Sequence, residues 1–106
     1  MATVDEVVEC FEELRDQLHH LSGDSDFEDA DRDDFGNLSG EAGDAAEAFS
    51  ENPKYGASSD KYDRVLTAGR NPVDAARNTS AADDNSIRRC KEKSRAALDA
   101  IASVTS

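Results

Sequence analysis

The sequence predicts an all-α protein, a small bundle of four to five helices with long first and last helices. Near both ends of the 106-residue chain, apolar residues recur at three- and four-residue spacing, which places them on one face of a helix. Sixteen residues are alanine, the residue with the highest helix propensity. No segment alternates apolar and polar residues as a half-buried strand would. We therefore expect one helical domain spanning residues 1–106.

The first helix has the clearest sequence pattern. Thr3 and Glu6 have the spacing of a capping box, in which two side chains satisfy backbone N–H groups at the start of a helix. Ser22 and Gly23 predict its end. Its apolar face consists of Val7, Phe11, Leu14, Leu18 and Leu21.

Residues 24–34 form the most acidic stretch, with seven acidic residues and one arginine. Two interpretations stay open from the sequence: an acidic loop, or a short helix that begins at Asp24 or Ser25. Gly36 and Gly40 then predict a break, because glycine is a poor helix former. A further helix follows over residues 38–49, and Asn52-Pro53 predicts its end.

Three more helices are predicted in the second half of the chain. Ser58 or Ser59 caps a short helix that Gly69 closes. Asn71-Pro72 has the pattern of a helix start with proline in the first turn, and this short helix ends near Asn78. Asp83, Asp84 or Asn85 caps the last helix. The apolar stripe of that helix consists of Ile87, Cys90, Ser94, Ala97, Leu98, Ile101 and Val104.

Acidic residues outnumber basic ones 24 to 12, and the formal net charge is −12. Asp exceeds Glu and Arg exceeds Lys. In molar salt the Debye length falls to about 3 Å, so like charges repel each other only weakly. This composition resembles that of proteins from halophilic archaea that accumulate salt, and from their viruses. An ordinary acidic protein is the alternative interpretation.

The charge is distributed unevenly along the chain. Residues 1–34 carry a net charge of −11, and residues 61–106 carry +3. One interpretation is intramolecular, with the basic last helix packed beside the acidic first helix. The other is a docking surface for another protein or a second copy of the chain, while nucleic acid is disfavoured because its phosphates repel the net charge. The candidate interaction residues are Glu9, Glu12, Glu13 and Asp16 in the first helix, and Arg88, Arg89, Lys91, Lys93 and Arg95 in the last.

The segment LSGEAGDAAEAF, from Leu38 to Phe49, has the spacing of a metal-binding helix. Glu41 and Asp44 are three residues apart and therefore share a helix face. This segment resembles the first acidic motif of MazG-like all-α nucleoside triphosphate pyrophosphohydrolases. The resemblance implies that Mg²⁺ is held by Glu41 and Asp44 together with a second pair, for which Asp60 and Asp63 have the nearest spacing. Mg²⁺ would bridge the substrate phosphates; without this resemblance, the sequence indicates no cofactor.

The remaining signals are few. Cys10 and Cys90 fall on helical stripes and are interpreted as buried apolar residues, with a disulfide between them as the alternative. The sequence shows no signal peptide and no membrane span, so we expect synthesis in the cytoplasm and no membrane partner.

Three functions remain as expectations. The first is a non-enzymatic structural or adaptor subunit acting by protein contact in a larger assembly, such as a virion or neck component of a halophilic virus. The second is the Mg²⁺-dependent pyrophosphohydrolase. The third is a small acidic regulatory binding protein.

Overall fold

Four long helices form the architecture of the computed structural model, which describes residues 1–106. This confirms the predicted all-α bundle. A strand pair of two residues each was not predicted, because so short a segment has no alternation to detect. In chain order the elements are β1 (Ala2–Thr3), α1 (Val4–Ser22), α2 (Asp29–Glu51), β2 (Ser58–Ser59), α3 (Asp60–Arg77) and α4 (Asp84–Ala102).

The helices form two hairpins that pack as two layers. One layer is α1 with α2, and the other is α3 with α4. Between the layers, α1 packs against α3 and α2 packs against α4. Antiparallel pairing of β1 with β2 places the starts of α1 and α3 at the same end of the bundle. The crossover, residues 52–59, runs diagonally from α2 to α3.

The end helices follow the sequence pattern closely. Thr3 Oγ1 accepts a hydrogen bond from the backbone N–H of Glu6 at 3.2 Å, and Glu6 Oε1 accepts from that of Thr3 at 3.1 Å. Asp83 caps α4 by accepting from the N–H groups of Asn85 and Ser86 at 3.0 and 3.2 Å. The predicted apolar stripes of both helices are buried.

In α2 the structure differs from the predicted break. Residues 24–28 form a turn, and the helix runs without interruption through Gly36 and Gly40. Each helical glycine costs about 1 kcal/mol relative to alanine. Burial of Phe35 and the other apolar residues on this helix outweighs that cost. The acidic stretch is therefore part turn and part helix.

In α3 the two predicted short helices are one, so the end predicted at Gly69 and the start predicted at Asn71-Pro72 are both wrong. Pro72 removes one backbone hydrogen bond, but its ring is buried in the core and the helix continues. Gly69 is buried where α3 crosses α1. A Cβ at this position would lie 2.8 Å from both Cys10 Sγ and Phe11 Cε1. The glycine thus permits a close helix contact.

The core is one cluster of 24 buried apolar residues. Cys10 and Cys90 belong to it and form no disulfide, since each is a free thiol. This confirms their interpretation as buried apolar residues. Burial raises the pKa of the Cys10 thiol to about 11, which keeps it protonated and poorly nucleophilic at neutral pH.

Candidate functional site

Ion pairs between the two layers all have the same polarity. In each one the acid belongs to the α1–α2 layer and the base to the α3–α4 layer. Arg95 binds Glu41 through two hydrogen bonds of 3.0 Å each, the bidentate geometry of a strong pair. The uneven charge of the sequence is therefore used partly inside the molecule. The interlayer pairs are Arg77–Glu13, Lys91–Asp31, Lys91–Asp34 and Arg95–Glu41.

Lys91 is the least exposed base in these pairs, with 25% of its side chain accessible. Its Nζ lies 2.6 Å from Asp31 Oδ1 and 2.8 Å from Asp34 Oδ2. It also lies 5.7 Å from the centre of the Phe35 ring, within cation–π range. Burial lowers the pKa of Lys91, but the hydrogen bonds to the two carboxylates raise it above its usual value overall. Lys91 therefore stays charged and joins α4 to α2.

The interpretation that places the last helix beside the first helix is wrong. The basic helix α4 packs against α2 and α3, and α1 lies diagonally across the bundle from it. The close approach at Gly69 places α3 beside α1. Glu13 of α1 consequently pairs with Arg77 of α3.

The other predicted interaction residues lie on the surface. On α1, Glu12 and Asp16 pair only with Arg15 of the same helix, and Glu9 is exposed. On α4, Arg88 Nη2 donates to Asn85 Oδ1 at 3.2 Å. Arg89 and Lys93 line a polar groove of about 250 Å³ between α3 and α4.

Unbalanced negative charge is concentrated on the α1–α2 layer. Its two helices contain 14 acidic residues and two basic ones. The interlayer pairs involve four of these acids. The helices of the α3–α4 layer contain six acidic and nine basic residues, and three of those bases form the interlayer pairs. The outer surface of the first layer is therefore strongly acidic, whereas that of the second is close to neutral.

The four carboxylates of the predicted Mg²⁺ site are not brought together. Glu41 and Asp44 lie on α2, while Asp60 and Asp63 lie on α3, diagonally across the bundle. Glu41 is paired with Arg95, and Asp63 Oδ1 accepts a hydrogen bond from the N–H of Ala2 at 2.5 Å. No three His, Cys, Asp or Glu residues are grouped as metal ligands would be. The pyrophosphohydrolase stays a prediction, testable by Mg²⁺-dependent release of pyrophosphate.

A groove between α2 and α4 was not predicted from the sequence. Its volume is about 500 Å³. The buried side chains of Leu98 and Ile101 contribute to its lining, and small side chains leave it open. The alanines that follow the acidic motif indicate a helix face with small side chains, but the sequence cannot show that α4 packs beside this face of α2. The lining residues are Glu41, Asp44, Ala45, Ala48, Arg95, Leu98, Asp99, Ile101, Ala102 and Thr105.

Comparison with known proteins adds no relative to this picture. No protein-family model, curated protein or solved structure matches the chain. None of the four helices combines the length and apolar character that a membrane crossing requires.

Proposed function

We propose that the protein is a non-enzymatic structural or adaptor subunit that acts by contact with another protein in a larger assembly. The observation that carries this proposal is the acidic outer surface of the α1–α2 layer. Like charges spaced four residues apart destabilise a helix, and Asp5–Glu9 and Glu47–Glu51 both have that spacing. A partner with a basic surface would relieve this repulsion and gain electrostatic complementarity.

Few large apolar side chains are exposed, which supports a contact dominated by charge and small side chains. Met1 and Tyr55 are the large apolar residues exposed in the structure, at 77% and 38%. Extensive permanent interfaces bury much larger apolar areas. The expected contact is therefore polar at its edges, with any apolar part confined to a groove.

We place this assembly in a salt-rich cytoplasm, with a particle of a halophilic virus as one setting. The excess of Asp and the scarcity of Lys support that habitat. Capsid or tail genes beside the coding sequence would strengthen the virion setting. Genes of nucleotide metabolism would instead favour the hydrolase alternative.

The test uses the tagged full chain in its native cells and in molar KCl. We expect it to self-associate or to co-purify with a larger particle. A Glu9→Gln, Glu12→Gln variant should capture less of that particle. The matched control, Asp60→Asn, Glu92→Gln, removes two charges from the other layer and should capture it normally. A strict monomer with no partner under these conditions would overturn the proposal.

A second candidate, a regulatory binder whose acidic layer imitates nucleic acid, is supported by the same one-sided charge. Such a protein would occupy the basic surface of a DNA-binding protein. Competition between the full chain and duplex DNA for that protein would distinguish it from an assembly subunit. An assembly subunit should leave the DNA complex intact.

A further inference from the structure

We propose that the groove between α2 and α4 docks a basic amphipathic helix of a partner protein, an inference that rests on the proposed function. An amphipathic helix recognises a groove by placing its apolar face inside it. The groove must then offer an apolar floor, low walls and a charge opposite to that of the helix flanks.

The floor and walls meet the first two requirements. Leu98 and Ile101, which line the groove, are 8% and 1% exposed and belong to the core. Ala48 and Ala102 also line it and are themselves exposed, so the walls are low there, while the Arg95–Glu41 pair spans the groove farther along. The groove volume of about 500 Å³ leaves room for side chains of an incoming helix.

The rim of the groove sets the charge of the occupant. Asp44 on α2 and Asp99 on α4 line the groove without an ion pair, while Glu41 is already neutralised by Arg95. Glu47, one turn beyond Asp44, continues the acidic face of α2. Lysine or arginine beside the apolar residues of the incoming helix would complement this rim. Anionic lipid headgroups would be repelled by the same carboxylates.

A second copy of the chain does not supply such a helix. Its own basic amphipathic helix is α4, whose apolar stripe is buried in the core. Lys91 and Arg95 of that helix are also held in interlayer ion pairs. The occupant is therefore a helix from a different protein.

A synthetic peptide provides the test, because the chain contains no tryptophan and a tryptophan in the peptide reports binding alone. The probe is a helix of about 15 residues with leucine and one tryptophan at i, i+3, i+4 and i+7, flanked by lysine. Its control has the same composition in scrambled order. We expect a blue shift of tryptophan fluorescence and at least about tenfold tighter binding of the probe than of the scrambled peptide.

Substitution in the groove separates docking from diffuse charge attraction. Ala48→Lys obstructs the groove and lowers its net negative charge at an exposed position, so affinity for the probe should fall at least about tenfold. Ala82→Lys adds the same charge at an exposed position in the α3–α4 turn and should change affinity by less than about twofold. Circular dichroism melts confirm that both variants fold.

Three outcomes with the purified protein would overturn the proposal. They are equal binding of the probe and the scrambled peptide, equal binding to wild type and Ala48→Lys, and a homo-oligomer that Ala48→Lys dissociates. Capture of partners from native cells distinguishes failure of the groove proposal from failure of the proposed adaptor function. If Ala48→Lys retains the natural partner, the groove proposal fails while the adaptor function stands. If wild type is a monomer that captures nothing, the adaptor function itself fails.

Discussion

Gly69 controls the distance between α1 and α3 at the scale of a single residue. We expect Gly69→Ala to lower the free energy of unfolding by about 1–3 kcal/mol, the usual cost of overpacking a core. The new methyl group would meet the Phe11 ring and the Cys10 sulfur at 2.8 Å, which outweighs the gain of about 1 kcal/mol in helix propensity. Urea unfolding monitored by circular dichroism measures this change.

Gly40 provides the matched control within a helix. A Cβ at Gly40 would meet nothing within 4 Å, so Gly40→Ala should raise the free energy of unfolding by about 0.5–1 kcal/mol. If Gly69→Ala stabilised the protein to the same extent, the close contact between α1 and α3 would be contradicted.

The cap of α4 carries a prediction at the scale of an element. The Asp83 side chain accepts hydrogen bonds from the first-turn N–H groups of Asn85 and Ser86, and the N–H of Ser86 is shared with the Asp83 carbonyl oxygen. Asp83→Ala should lower the free energy of unfolding by about 1 kcal/mol, whereas Asp83→Asn should preserve most of it because asparagine also caps helices. Equal losses in thermal melts of the two variants would show that charge, and not capping, is responsible.

The Glu41–Arg95 pair links α2 to α4 and predicts a pH effect. The hydrogen bond from Arg95 lowers the pKa of Glu41 below its usual value of 4.5. The folded state therefore binds this proton less readily than the unfolded state, so the stabilisation is complete above the usual pKa. It is lost as the pH falls through the lowered pKa.

Glu41→Gln should consequently reduce the loss of stability on acidification below about pH 4.5, by about 0.5 kcal/mol or less. The effect is small because 48% of the Glu41 side chain is exposed to water. Glu47→Gln, on the solvated face of α2, serves as the control. An identical acid dependence in wild type and Glu41→Gln would contradict the pair.

The helices differed in how well the sequence predicted them. In α1 and α4, caps and apolar spacing agree, so local rules were sufficient. In α2 and α3, glycine and proline indicated breaks that tertiary burial overrode. The sequence also could not predict which helices pack together, because the diagonal crossover from α2 to α3 keeps α1 and α4 apart. That separation is why the candidate groove and the division of the carboxylates could not be predicted.

Charge at the scale of the whole molecule predicts a dependence on salt. The acidic outer surface of the α1–α2 layer should repel itself in dilute buffer and be screened in molar salt. We therefore expect Tm to rise with KCl concentration, and to rise less in the Glu9→Gln, Glu12→Gln variant. Differential scanning calorimetry measures both slopes. A Tm unchanged between dilute and molar salt would leave the halophilic interpretation without support.

The sequence shows the uneven charge, but it does not show which acidic residues form ion pairs inside the bundle and which face solvent. The total for residues 1–34 cannot show that Asp31 and Asp34 meet Lys91 while Glu9 faces water. Only the packing of α2 against α4 separates these roles. The external part is the one that carries the proposed function.

Both ends of the described chain hold the crossover in place. Val4 donates its N–H to the carbonyl of Ala57 at 2.9 Å, while Lys54 donates to Val104 and Ser106 donates to Asn52, each at 2.9 Å. A protease binds its substrate in extended form, so the hydrogen bonds that hold the crossover must break before the peptide bond after Lys54 can be cleaved. Removing residues 104–106 should therefore speed trypsin cleavage at Lys54, and that cut would divide the protein into its acidic and basic hairpins.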